Sequence, residues 1–176
     1  MIEKVLTPLS LKSFMDYMPR ILDHARGKSG IEGREFDRRG YLTLMDGITG
    51  NIVFTIPFGE IPEEKRQKYF ELSQEKAMRL FSQVNMHLPN GHTTSFQSRN
   101  EENEQYGGAI YVNCHSTIFI LSFSGMPELI DEAMMLVLAE KLSRSVIHKS
   151  VKAPTIEACE RNPFWKSLLK DFDNSF

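Results

Sequence analysis

The run from Gly107 to Leu142 constrains this chain more than any other part of it. Gly107-Gly108 precedes Ala109 to Val112, Asn113 to Ser116 supplies turn residues, and Thr117 to Phe123 is apolar at nearly every position. A strand of that composition has to be covered on both faces. Ser124-Gly125-Met126-Pro127 then stops the strand and starts a helix in which Leu129, Ile130, Ala133, Met134, Met135, Leu136, Val137, Leu138 and Ala139 leave little polar face. A helix apolar nearly all round needs cover on more than one side. The expectation is a sheet on one side and a second subunit on the other, a homo-oligomer formed through residues 129–142.

Upstream, the periodicity alternates between helix and strand. Thr7-Pro8 is a cap and first-turn pair, followed at helical spacing by Leu11, Phe14, Met15, Met18, Ile21, Leu22 and Ala25. Pro19 lies inside that pattern and predicts a kink or two short helices, and three glycines between Gly27 and Gly33 close it. From Phe36 the period changes to two, with Tyr41, Thr43 and Met45 alternating against Leu42 and Leu44. Turn residues Asp46-Gly47 and Thr49-Gly50 lead to a partner strand, Asn51 to Phe58, and so predict an antiparallel hairpin. Ile61-Pro62-Glu63-Glu64 opens a long helix, with acids in the first turn where the dipole favours them. Its stripe is Phe70, Ser73, Ala77, Leu80, Phe81 and Val84, and small Ser73 and Ala77 predict close approach to the sheet.

Asn85 to Gln105 has almost no apolar periodicity. Loops longer than ~12–15 residues are usually functional or disordered, so this one is read either as a plain surface connection or as a ligand gate. Near the C-terminus, Asn162-Pro163 predicts a helix start ahead of Phe164, Trp165, Leu168, Leu169 and Phe172 on one face. Residues 1–150 are thus expected to form one domain with an N-terminal helix. Residues 151–176 would be an amphipathic helical tail, docked on its own core or offered to a partner.

Charge and cysteine usage exclude several classes. With 21 basic and 23 acidic residues in 176 and a net charge of −2, no positive field is available to neutralise phosphates, so nucleic acid is not expected as a partner. Two cysteines, Cys114 and Cys159, make no disulfide framework and no short zinc spacing. Charges at Glu3, Lys4, Lys12 and Asp16 interrupt the N-terminus before any span of ~20 apolar residues forms. A cytoplasmic protein with no membrane segment is the expectation.

Local catalytic motifs are weak. Cys114-His115 are adjacent and would point to opposite faces of a strand. The five histidines form no His-x-x-x-His or Glu-x-x-His pair, although His87 or His92 in the long loop could serve singly as an axial haem ligand. Gly107-Gly108 permits close backbone approach, and Ser124-Gly125 at a helix start exposes amide hydrogens that attract an anion. Neither matches a phosphate loop or a dinucleotide fingerprint. Lys76 either reaches a ligand carboxylate or solvates its helix.

In chain order these segments resemble the GlcG/HbpS family, small proteins described as haem-binding or haem-degrading that also occur as the C-terminal domain of PduO-type corrinoid proteins. The residues that carry the resemblance lie between about Tyr41 and Leu142. They are the strand ending at Asp46-Gly47, Gly50-Asn51-Ile52-Val53-Phe54, Leu72-Ser73-Gln74-Glu75-Lys76-Ala77, Gly107-Gly108-Ala109-Ile110, and Ile120 to Gly125 followed by Asp131-Glu132-Ala133. The resemblance implies an α+β, profilin-like fold in which a central antiparallel sheet has helices packed across it, with frequent oligomers. It also implies a ligand such as haem, a corrinoid or a small organic acid. The motifs converge on a pocket between the Lys76 helix and the Gly107-Gly108 and Ser124-Gly125 strand ends. Where the family has a Gly-rich strand this chain has Phe119, Leu121 and Phe123, whose bulk would occupy ligand space, and Ala109-Ile110-Tyr111 stands where the family has a proline. The expected function is therefore a small-molecule binding or sensing domain. The rivals are an enzyme acting on a tetrapyrrole or small metabolite, built from the loop histidines, Arg99 and Tyr106, and a non-catalytic assembly module.

Overall fold

The computed structural model describes residues 8–28, 39–84, 92–114, 117–144 and 156–175. The sheet comprises β1 (Gly40–Asp46), β2 (Ile52–Phe58), β3 (Ala109–Cys114) and β4 (Thr117–Ser124). All pairings are antiparallel, in the order β2-β1-β4-β3. The helices are α1 (Pro8–Ala25), α2 (Glu63–Val84), α3 (Glu128–Arg144), α4 (Ile156–Arg161) and α5 (Trp165–Asp173). The fold is α+β, an antiparallel sheet with helices packed across it.

The two-residue period of the strands divides the core into two layers. Leu42 and Leu44 of β1, Ile110 and Val112 of β3, and Phe119, Leu121 and Phe123 of β4 face one way, into a core completed by α1, α3 and α5. Met45, Ala109 and Ile120 face the other way, against Ala77 and Leu80 of α2. The bulky trio of β4 therefore fills the interface with α3. The face toward α2 carries the smaller or polar Thr43, Ser122 and Ser124.

Every residue of α3 from Ile130 to Ala139 is buried within the single chain. The cover expected from a second subunit comes from α1 and α5, which pack on α3 opposite the sheet. Residues 130–139 are thus covered without a second subunit. Phe14, Met18, Ile21, Leu22 and Ala25 of α1 and Ala158, Leu168 and Phe172 from the C-terminal helices enter one core with α3, so the tail docks on its own chain.

Three local expectations are corrected. Of the two readings of Pro19, the division into two short helices is the one overturned, since Pro19 lies inside a single helix; the neighbouring turn at Met15 is 45% exposed, where water can take the carbonyl that a proline leaves without a donor. β3 runs on to Cys114, so the turn is shorter than Asn113 to Ser116, and residues 115–116 lie outside the described residues. Asn162 does not cap a helix beginning at Pro163. Its Oδ1 accepts from Phe164 N at 2.9 Å, and α5 begins at Trp165.

The described part of the long loop, residues 92–106, is built by polar contacts. Thr94 caps the short 3-10 turn Ser95–Ser98 reciprocally with Gln97. Thr93 O accepts from Tyr111 N at 2.9 Å, laying this segment against the β3 edge. Arg79 of α2 donates to Ser95 O at 2.8 Å, Ser98 O at 3.0 Å and Tyr106 O at 2.6 Å. One guanidinium thus holds both ends of the segment.

Candidate functional site

Four elements meet where β4 ends. Lys76 projects from the buried side of α2, and its Nζ donates to Phe123 O and to Asp131 Oδ2, each at 2.9 Å. The side chains of Lys76 and Asp131 are only 2% and 1% exposed. Asp131 Oδ1 accepts from Met126 N at 3.0 Å. An amide at the Ser124-Gly125 turn therefore does find an anion, and the anion is the chain's own carboxylate. Lys76 does not solvate its helix; its ammonium is engaged by Asp131.

Glycine is required beside this pair. A Cβ on Gly108, whose φ is +123°, would lie 2.9 Å from Lys76 Nζ, Asp131 Cβ and Phe123 O. At Gly125 a Cβ would come within 2.1 Å of Arg39 O. Gly107 lies under Phe96, and its N–H donates to Glu128 Oε2 at 2.8 Å.

Above the pair is a cavity of about 450 Å³, within the ~300–1,000 Å³ range of small-molecule sites. Tyr69, Leu72, Tyr106, Met126 and Pro127 form much of its wall. Lys68, Lys76, Ser124, Gly125, Glu128 and Asp131 supply its polar atoms. Of the sequence-predicted residues, Lys76, Ser124 and Gly125 line this space, Gly108 packs beneath it, and Gly107 reaches it through Glu128. A larger cleft of about 950 Å³ beside Arg26, Arg39 and Arg66 contains none of them.

Burial pushes the Asp131 carboxyl up from its ordinary value of 3.8 to about 6, opposed by Lys76 and by the hydrogen bonds from Lys76 and Met126. The folded state then holds this proton where the unfolded chain has released it. The Asp131 contribution to stability is complete below the unfolded pKa and is lost as pH rises from about 4 to about 6. At ~1.4 kcal/mol per pKa unit the loss is at most about 3 kcal/mol. Urea unfolding from pH ~4 to ~7 should show the wild-type stability falling relative to Asp131→Asn across that window. Parallel pH profiles for the two proteins would contradict it.

A second buried carboxylate lies one residue on. Glu132 is fully buried and accepts from Thr94 Oγ1 at 2.5 Å, Arg161 Nη2 at 2.6 Å and Asn162 Nδ2 at 2.9 Å. Arg161 also stacks on the Phe96 ring, 3.9 Å from its centroid. Successive helix residues diverge by about 100°, so Asp131 turns to the sheet while Glu132 turns to residues 92–106 and the C-terminal helices. In the sequence Asp131 and Glu132 stand within a motif but carry no assigned role. Their signal was two acids on a helix that has no polar face.

His92 precedes Thr93 on the β3 edge and does not line the cavity; His87 lies outside the described residues. Tyr106 does share the cavity with Ser124, and Arg99 touches its rim through Glu128 at 2.5 Å. The described donors do not fit haem held through His92 in this cavity. Among the described residues no group of three or more His, Cys, Asp or Glu is placed to hold a metal. Burial raises the Cys159 thiol to about 11, away from thiolate chemistry at neutral pH. No helix among the described residues is long and apolar enough to cross a membrane. No family model, curated protein or solved structure matches the chain.

Proposed function

We propose that the protein is a small-molecule binding domain whose ligand occupies the cavity over Lys76 and Asp131. The observation that carries this reading is the convergence of α2, β4, the start of α3 and the 92–106 segment on one space with an apolar wall and a few fixed polar groups. The Lys76–Asp131 pair gives that space a rigid floor, because both charges are already satisfied by protein atoms. The GlcG/HbpS resemblance points to the same strand ends.

The test is a fragment titration followed by amide NMR, with haemin as a separate arm. Bound fragments are expected to shift Tyr106, Ser124, Gly125 and Met126 together. Leu72→Trp, which fills the cavity from its wall, should weaken binding at least tenfold, equivalent to ~1.4 kcal/mol. Haemin is expected to give no change in its Soret band that depends on His92. The reading fails if no fragment moves these amides, or if Leu72→Trp binds as tightly as the parent.

A further inference from the structure

The charges around the cavity differ in what they are bonded to, and that difference selects the ligand. Lys76 and Asp131 neutralise each other in the floor. Glu128 is taken by Arg99 at 2.5 Å and by Gly107 N at 2.8 Å. Lys68 is the exception. It lines the cavity, and the partner of its Nζ at 2.7 Å is Glu104, a residue outside the cavity wall. The two side chains are 54% and 60% exposed, so the bond is set in water and is readily exchanged.

Glu104 is also set in an unusual backbone. Its φ of 53° is the only positive value at a non-glycine among the described residues. It closes the 3-10 turn Glu101–Asn103 in the left-handed region, where glycine would sit without strain. The described contact that a glutamate adds at this position is the one to Lys68. That carboxylate raises the Lys68 pKa, first through the hydrogen bond and then through its charge, as expected for a direct ion pair.

We infer that the cavity takes an amphipathic monoanion, an aromatic carboxylate whose ring lies among Tyr69, Leu72, Tyr106 and Met126 and whose carboxylate replaces Glu104 on Lys68. This rests on the cavity being the binding site, and it adds the ligand's charge and a resident competitor. The exchange is ion for ion: one carboxylate leaves Lys68 as another arrives. A ligand of the same shape without the charge would leave Lys68 with Glu104 and gain only the wall contacts. A cationic ligand would meet Lys68 with no open acid to balance it, since both lining acids are already bonded.

The probes are 2-naphthoate and its uncharged counterpart 2-naphthamide, titrated against the full chain by NMR and calorimetry. Naphthoate is expected to bind roughly two- to fivefold tighter than the amide, the range of an exposed ion pair, with shifts at Tyr106 and Ser124. Lys68→Met should remove that difference. Glu104→Gln, which keeps shape but removes the competing charge, should strengthen naphthoate several-fold and leave the amide unchanged. Both positions are exposed, so folding is retained. Equal binding of the two probes, or a Glu104→Gln variant that binds naphthoate no better than the parent, overturns the inference while leaving the cavity as a site. If neither probe moves the Tyr106 and Ser124 amides, both the inference and the site fail.

Discussion

Lys76→Met is expected to lower stability by about 3–5 kcal/mol near neutral pH, since it removes one partner of a fully buried ion pair. Methionine matches the lysine stem in length, so the loss comes from charge rather than volume. Asp131 is left at 1% exposure without a counter-ion, and Phe123 O loses its donor. Two further outcomes separate this cause from simple misfolding. Asp131→Asn added to Lys76→Met should recover more than half of the loss, because the amide oxygen still accepts from Met126 N while the stranded charge is gone. The single variant should also be less impaired at pH ~5 than at ~7.5, because an uncompensated carboxyl escapes its penalty by taking up a proton. A double variant no more stable than Lys76→Met, or a loss independent of pH, would show that the pair is not the source of the effect.

The contrast between what the chain announces and what it conceals follows from the kind of interaction involved. β1 to β4 and α2 were legible because apolar periodicity is local: Tyr41 to Met45 alternate, and Ser73, Ala77 and Leu80 recur at helical spacing. The all-round burial of α3 was equally legible, but its covering was not. An apolar face states that it needs a partner without naming it, and the stripes of α1 and α5 were the partners available in the same chain. Lys76 and Asp131 lie 55 residues apart, and nothing near Lys76 distinguishes it from a solvated lysine. Asp131 and Glu132 were the accessible clue, because a charge on a helix with no wet face must be paired. Residues 92–106 lacked periodicity for a physical reason: Arg79 binds their backbone carbonyls, and a carbonyl is the same whatever side chain it carries. The cavity itself was foreseeable only in outline. Lys76, Ser124 and Gly125 mark its floor and end and Tyr106 one candidate wall, while Tyr69 and Met126 were placed there by the fold.

Glu132→Leu should also be damaging, at about 3 kcal/mol, because it removes the one acceptor on which a buried hydroxyl, an amide and a guanidinium converge. Thr94 Oγ1, Arg161 Nη2 and Asn162 Nδ2 all point at this carboxylate; a leucine offers none of them an oxygen, although Asn162 Nδ2 keeps Leu129 O at 2.8 Å and Arg161, 25% exposed, can turn to water. The consequences should be local before they are global. Thr94 and Thr93 hold the 92–106 segment to β3, so the Tyr111 amide, which donates to Thr93 O, is expected to exchange with solvent much faster in the variant. The Phe164 amide, tied to Asn162, should follow. Amides in the middle of α3 stay covered by the sheet and should change only as much as overall stability does. Glu132→Gln supplies a control: it keeps one oxygen but loses the charge, so the expected cost is about 1.5–3 kcal/mol, the worth of hydrogen bonds to a charged group. Because the same segment carries Tyr106 to the cavity and Glu104 to Lys68, loosening it from the Glu132 side should also weaken naphthoate binding. A Glu132→Leu protein that keeps Tyr111 protected and binds the probe as before would mean that Arg79 alone holds the segment in place.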